Sequence, residues 1–273
     1  MADMPLQAVV YASYKSGSTT LFQAIRSRMA GEVHEIFEPA SLEVLDGPFS
    51  AALCAKIITH LKLDWAHMRR QMPRLFPIAL VRDPRDVLVS ALFFRPQEKS
   101  LDTWRDVEAL NALHARLLTK LDRPTSTSLL DVFEHPYTEE VISAWMTTTY
   151  GRLESAIEAG AREVRYDDLV ENRLGDLWDE MGLPASPLAE DDRWPHVPRS
   201  KRSGNWRRWL TEADVEWLRG VVDPVLARWP WMEKDWTLHA SPELSESESI
   251  DYIRRTVNMT RAQAGLSAWQ IQG

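Results

Sequence analysis

The chain has 273 residues, of which 44% are hydrophobic and 26% charged, and a formal net charge of −8 at neutral pH. These figures fit an ordinary globular protein with chain enough for a substantial core, and they disfavour nonspecific nucleic-acid binding, so any anion site must be built locally against the global field. Cys54 is the single cysteine, which excludes an internal disulfide framework and a Cys-based metal cluster. The N-terminal Met-Ala-Asp-Met-Pro has no basic leader, and the longest apolar run, around 87–94, is far shorter than the roughly 20 residues a membrane span needs. A reducing, cytoplasmic setting with no membrane or nucleic-acid partner is the expectation.

Residues 6–14 read as a first strand that runs into Tyr14-Lys-Ser-Gly-Ser-Thr-Thr20. Residues 18–30 carry Leu21, Phe22, Ile25 and Met29 at helical spacing, and Gly31 closes them. Strand, Gly-containing turn and helix N-terminus aim several backbone N–H groups and a positive dipole end at one point, which suits a phosphate. Lys15 adds a point charge, and the hydroxyls of Ser16, Ser18, Thr19 and Thr20 add short donors. The standard nucleotide loop, G-x-x-x-x-G-K-[ST], places its lysine after the second glycine. Here Lys15 precedes Gly17, and positions 10 and 11 hold Val and Tyr. The stretch is therefore either a phosphate loop of another lineage or a polar turn with a solvated lysine.

Residues 32–40 form a short second strand, and 53–60 a third with His60 at or just past its end. A helix over 64–71 stops near Pro73, and the continuous apolar run at 75–81 has the character of a buried parallel strand. Strands alternating with helices predict a doubly wound α/β sheet, in which ligands bind at the carboxyl ends of the strands. The Lys15 loop, His60 and Arg82 each follow a predicted strand directly. Asp83 is an N-cap and Pro84 suits the first position of the next helix, with Ser90 two turns along. Taken singly, Arg82 reads as a surface ion pair with Asp83 or Asp86, Ser90 as a helix serine bonded to its own backbone, and His60 as structural.

Residues 98–158 are mainly helical, with breaks around 123–128 and 135–136 and with Trp145 and Met146 as core; this stretch is expected to cover the site. A further strand at 163–166 leads into a helix over 167–181 that ends at Gly182 and Pro184. Residues 193–208 hold six basic residues and no acidic one, with two prolines and a glycine, so they form a loop. In a chain of net −8 this loop reads either as an anion cradle with two tryptophans for ring stacking or as a solvated basic face. Thr211 caps a helix whose Val215, Leu218, Val222, Val225 and Leu226 share one face. Eight of the twelve tryptophans fall between Trp178 and Trp236, where core packing accounts for most of them. The organisation is a domain over 1–236 and a C-terminal extension over 237–273, a polar linker plus a helix near 250–266 that packs on its own domain or on a second copy in a homodimer.

Together these residues resemble the sulfotransferases that use 3′-phosphoadenosine 5′-phosphosulfate (PAPS). Tyr14-Lys-Ser-Gly-Ser-Thr19 is similar to that family's 5′-phosphosulfate loop, Pro-Lys-Ser-Gly-Thr-Thr. Arg82-Asp-Pro-Arg-Asp-Val-Leu-Val-Ser90 resembles its 3′-phosphate motif, an Arg with a Ser eight residues later. Val164-Arg-Tyr-Asp-Asp-Leu169 is similar to its late strand-end segment, and Arg199-Ser-Lys-Arg-Ser-Gly-Asn-Trp-Arg207 to the C-terminal loop that closes over the nucleotide. Thr59-His60-Leu61 matches the segment that carries its catalytic His. The resemblance spans about residues 6–230 and implies a single doubly wound, P-loop-like α/β domain with a mainly parallel central sheet flanked by helices.

It also implies transfer of a sulfuryl group from PAPS to a hydroxyl of a small-molecule acceptor, with 3′,5′-bisphosphate (PAP) as product and no metal. His60 would be the base and Lys15 would stabilise the leaving phosphate. Lys15, Ser16, Gly17, Ser18, Thr19 and Thr20 would hold the 5′ side, Arg82, Ser90 and Arg199 the 3′-phosphate, and Tyr166, Ser200, Lys201 and Arg202 would complete the nucleotide site. Three departures stand out. Tyr14 replaces the usual Pro, Ser200 and Lys201 replace Lys-Gly, and Thr20 stands where many members place an adenine-stacking Trp, a role left to Trp194 or Trp206. No family dimerisation motif is evident. A P-loop kinase using ATP, or a non-catalytic phosphonucleotide-binding domain, are the alternative readings.

Overall fold

The computed structural model describes residues 5–47, 49–98, 101–185 and 202–270. In chain order the elements are β1 (Gln7–Ala12), α1 (Ser18–Arg26), β2 (Val33–Phe37), β3 (Ala52–Ile58), α2 (Trp65–Gln71), β4 (Leu75–Val81), α3 (Pro84–Phe94), α4 (Val107–Asp122), α5 (Leu129–Val132), α6 (Glu139–Glu158), β5 (Arg162–Arg165), α7 (Tyr166–Val170), α8 (Gly175–Met181), α9 (Trp206–Trp209), α10 (Glu212–Leu226) and α11 (Ile250–Gln263). Short 3₁₀ turns cover Leu42–Leu45, Arg95–Gln97 and Asp102–Trp104. The chain divides into two compact units, Met1–Arg82 with Thr147–Arg193, and Asp83–Met146 with Trp194–Gly273.

The first unit contains the whole sheet, five parallel strands in the order β2-β3-β1-β4-β5. This is the α/β sheet that the alternation of elements predicts, with the direction of winding reversing at β1. Ala12 pairs with Ile58 of β3 on one side and with Leu80 of β4 on the other, so three adjacent strands end together. β1 is buried along its full length because it is central and covered on both faces, which is why it reads as an apolar run rather than an alternating one. On one face Ala8, Val10 and Ala12 join Leu21, Phe22 and Ile25 of α1 in the main apolar cluster. On the other, Tyr11 meets Trp65 of α2 edge to face, with ring centroids 5.6 Å apart. Each fully buried large aliphatic side chain here contributes about 1.5–3 kcal/mol.

One predicted helix proves to be two. The continuous helix expected over 167–181 is interrupted after Val170: Asn172 takes a left-handed φ of 55°, and Arg173 N–H bonds back to Asp168 O at 2.7 Å. Asparagine tolerates that conformation far better than branched residues do. The break lets Leu169 and, one short helix later, Leu174, Leu177 and Trp178 reach the same apolar cluster.

The second unit is helical. The Asp83 carboxylate caps α3 by accepting from Arg85 N–H at 2.8 Å, and Pro84 occupies the first turn. Thr211 and Asp214 form a reciprocal capping box at the start of α10. Val215, Leu218, Val222, Val225 and Leu226 are all buried. The polar stretch after Trp236 leads into α11, whose Ile250, Tyr252, Ile253 and Val257 are buried. Arg261 donates to Trp104 O at 2.8 Å, and Trp269 Nε1–H to Asn111 Oδ1 at 2.9 Å. Among the described residues no helix is long and apolar enough to cross a membrane.

Candidate functional site

The first unit holds the loop, His60 and Arg82 on three neighbouring strand ends. After β1 the chain turns through Ser13–Gly17 with two left-handed residues, Lys15 at φ 62° and Gly17 at φ 88°. Lys15 is not a glycine, and that backbone costs an ordinary residue about 1–2 kcal/mol. The buried Ser16 steadies the turn by donating from Oγ to Ser13 O at 2.7 Å. Gly17 is the N-cap of α1 and brings no side chain to the first-turn N–H groups of Ser18 and Thr19. A helix whose opening donors meet no capping side chain keeps them available to an anion. Ser18 and Thr19 are buried and Thr20 half-buried.

Gly17 is required here for space as well as for φ. A Cβ on it would lie 2.6 Å from Cε2 and 2.8 Å from Cδ2 of Tyr166. Tyr166, at the start of α7, is buried, and its ring also carries the Arg82 guanidinium, 3.9 Å from the ring centre. Arg82 Nη1 donates to Lys15 O at 3.0 Å, and Arg82 O accepts from the Tyr150 hydroxyl at 2.5 Å. Arg82 is 6% exposed. It is thus no surface ion pair: it ties the end of β4 to the loop after β1, with Tyr166 as its platform. Tyr166 packs against both Gly17 and Arg82.

His60 is exposed at the turn that follows β3. Every main-chain carbonyl of this turn is held. Arg152 on α6 donates from Nη1 to Thr59 O and to His60 O, at 2.5 and 2.7 Å, while the Tyr11 hydroxyl donates to Leu61 O at 2.7 Å. Thr59 N–H continues the sheet to Ala12 O at 3.0 Å. Burial pushes the Tyr11 phenol up to about 12, with Arg152 opposing the shift. The anchored turn fixes where the His60 side chain begins. Neither Arg152 nor Tyr11 was found from sequence, because nothing in an amphipathic helix or an apolar strand marks the residue that will reach another turn's carbonyls.

Lys56 was missed as well, though it left a mark: it is the one charged residue in the apolar run of β3. It is 3% exposed. Its Nζ donates to Thr19 Oγ1 at 2.7 Å and pairs with Glu38 Oε1 at 2.6 Å, and burial lowers its pKa against the pull of Glu38.

In the second unit, Ser90 is buried within α3. Arg85 and Asp86, beside it in the same motif, have structural tasks. Asp86 accepts from Gly204 N–H at 2.8 Å and Trp206 N–H at 3.0 Å, and so holds the downstream end of the basic loop. Arg85 pairs with Asp83 at 2.6 Å and donates to Glu233 O at 2.7 Å. The Trp206 ring lies 4.0 Å from the Arg85 guanidinium and 4.4 Å from that of Arg207, and is 1% exposed. With both cations against it, Trp206 is core, and the adenine-stacking role suggested for it from sequence is withdrawn. Arg207 pairs with Glu233 and Asp235, and Arg208 with Glu248. Two of the six basic residues are therefore neutralised inside this unit, and Arg202 is exposed, 4.0 Å from Glu248. Trp194, Arg199, Ser200 and Lys201 lie outside the described residues.

No protein-family model matches the chain, and no curated protein matches it. Among solved structures it is similar to that of mouse sulfotransferase SULT7A1 complexed with PAP, at 14% identity and a TM-score of 0.47, over 82% of this chain and 84% of that one.

Proposed function

We propose that the chain is a PAPS-dependent sulfotransferase acting on a hydroxyl of a small molecule. The observation that carries this reading is the junction of Arg82, Lys15, Tyr166 and Gly17. A buried guanidinium, stacked on a tyrosine, is bonded to the carbonyl of the lysine in an uncapped loop. That frame joins two centres of positive charge, and a nucleotide with phosphates at both 5′ and 3′ positions needs two. The sequence motifs assign the same residues the same two roles. Position 17 has no room for a Cβ because Tyr166 already fills that space, so the glycine lets the loop and the Tyr166–Arg82 stack pack directly on one another.

When bound, PAPS supplies the sulfuryl group and leaves as PAP. Lys15, with the N–H groups of Ser18 and Thr19, places positive charge where the 5′ side would be held, and stabilises negative charge as it grows on the leaving oxygen. Ser16, Gly17 and Thr20 shape the same loop. Arg82 is assigned to the 3′-phosphate. Ser90, Arg199, Ser200, Lys201 and Arg202 take their nucleotide-binding roles from the sequence motifs. His60 accepts the proton of the acceptor hydroxyl as that oxygen bonds to sulfur. Its exposure at the strand end leaves it open to an acceptor.

Thermal unfolding with PAP, and separately with ATP and Mg²⁺, tests the reading. PAP at a hundred times its Kd is expected to raise the Tm by about 5 °C, and ATP·Mg by much less. Equal stabilisation by ATP·Mg would support a phosphotransferase instead. PAP binding without sulfate transfer to any hydroxyl in a broad acceptor panel would support a domain that only binds the nucleotide.

A further inference from the structure

Lys56 is expensive to keep where it is. It lies in the middle of the parallel sheet, paired with Val10 of β1 and Phe37 of β2 in register, and is 3% exposed. Withdrawing an ammonium from water costs several kcal/mol unless it is paired and bonded, and a methionine would occupy the same volume without that cost. Three groups compensate it. Glu38 Oε1 lies 2.6 Å from Nζ, the Phe37 ring centre lies 4.3 Å away, and Thr19 Oγ1 accepts at 2.7 Å. Glu38 is itself held by its N–H to Lys56 O at 2.9 Å, in a left-handed conformation at φ 47°.

The Thr19 contact has a direction. An ammonium only donates, so Thr19 Oγ1 accepts, and the single proton of that hydroxyl must point to some other acceptor. Thr19 is the second residue of α1, beside the first-turn N–H groups that Gly17 leaves uncapped. A hydroxyl that accepts from a cation is also polarised into a stronger donor. We propose that Lys56 is a positioning residue of the loop: from within the sheet it orients the Thr19 hydroxyl as a donor to the 5′-phosphate side of the bound nucleotide. Glu38 holds the ammonium from behind. This inference rests on the functional reading above and adds to it a residue that touches no nucleotide itself.

The test is a cycle of PAP affinities, measured calorimetrically for wild type, K56M, T19V and the double variant. Each single substitution is expected to weaken PAP binding about 10-fold, and the double variant no further, because Lys56 acts only through Thr19. The T19S variant should recover most of what T19V loses, because it restores the hydroxyl. A structural ion pair alone would lower the Tm of K56M and leave its PAP affinity unchanged; that result, or full additivity in the double variant, would overturn the proposal. Should K56M not fold, T19V carries the test: wild-type affinity there is equally fatal. If the wild-type protein binds no PAP, the functional reading fails first. If it binds PAP and K56M binds it as tightly, only the role of Lys56 fails.

Discussion

Arg82 Nη1 donates to the carbonyl of Lys15 across 3.0 Å, so the residue that follows β4 is bonded to the loop that follows β1. Replacing Arg82 by methionine removes this bond, the stacking on Tyr166 and the charge together. PAP binding is expected to weaken about 10- to 100-fold, the range for losing a hydrogen bond to a charged group. R82K keeps the charge but not the planar contact with the ring and should fall between the two. Calorimetric titration of the three proteins checks the order. Equal affinity in R82M and wild type would remove Arg82 from the site.

Gly17 and Tyr166 make a second, purely steric prediction. In G17A the new methyl meets the tyrosine ring at 2.6 Å, and the backbone stays at φ 88°. Strain and overpacking add to a destabilisation of about 2–4 kcal/mol, measurable by denaturant unfolding. Because the clash is with a side chain, Y166L in the G17A background should recover part of that loss, while the left-handed backbone keeps the remainder. No recovery would mean that backbone strain dominates at this position.

Arg152 offers a way to separate the base role proposed for His60 from the nucleotide-binding role proposed for the Lys15 loop. Its guanidinium holds the carbonyls of Thr59 and His60 and lies on a different element from the Lys15 loop. In R152M the turn loses two anchors. The rate of sulfate transfer should fall about 10- to 100-fold, since small misplacements of a reacting group cost that much. PAP affinity should stay within about twofold, because the loop does not depend on Arg152. A matched fall in both quantities would show that the turn supports the nucleotide instead. H60A should abolish transfer more completely than R152M does.

The centre of the sheet was legible because β1, β3 and β4 are mainly apolar runs, and the positions of Lys15, His60 and Arg82 followed from where those runs stop. The caps at Asp83 and Thr211 were legible for the same reason, as each is a local signal. Contacts made across long sequence separations left no such trace. Arg152 reaches Thr59, Tyr150 reaches Arg82 O, and Asp86 reaches Gly204 and Trp206, each over more than sixty residues. Trp206 shows the opposite error: a tryptophan in a basic loop invites a stacking role, yet its ring stacks on arginines of its own unit. Lys56 stands between these cases, since a lysine in a buried strand announces a partner without naming it.

The buried lysines give the stability of the chain a pH dependence. Lys120 is fully buried, with Nζ donating to Pro124 O and Thr127 O. Burial lowers its pKa from 10.5 to about 8, against the pull of Asp214. Above pH 10.5 the lysine is neutral in both folded and unfolded chains and costs nothing. As pH falls from 10.5 to 8 the unfolded chain takes up the proton first, so stability declines through that window and levels off below it. The full decline amounts to about 3 kcal/mol at 1.36 kcal/mol per pH step. Lys56, also lowered by burial, acts in the same direction. Cys54 and Tyr11 act in the opposite one, because burial raises both and their contributions are lost as pH climbs past about 9 and 10. The contribution of Lys120 is therefore isolated as a difference. Denaturant unfolding at pH 8 and pH 10 should show the stability gap between wild type and K120M changing in favour of wild type as pH rises, whatever the gap at pH 8. A gap independent of pH would mean that the two carbonyls hold the ammonium charged and that its pKa is not lowered.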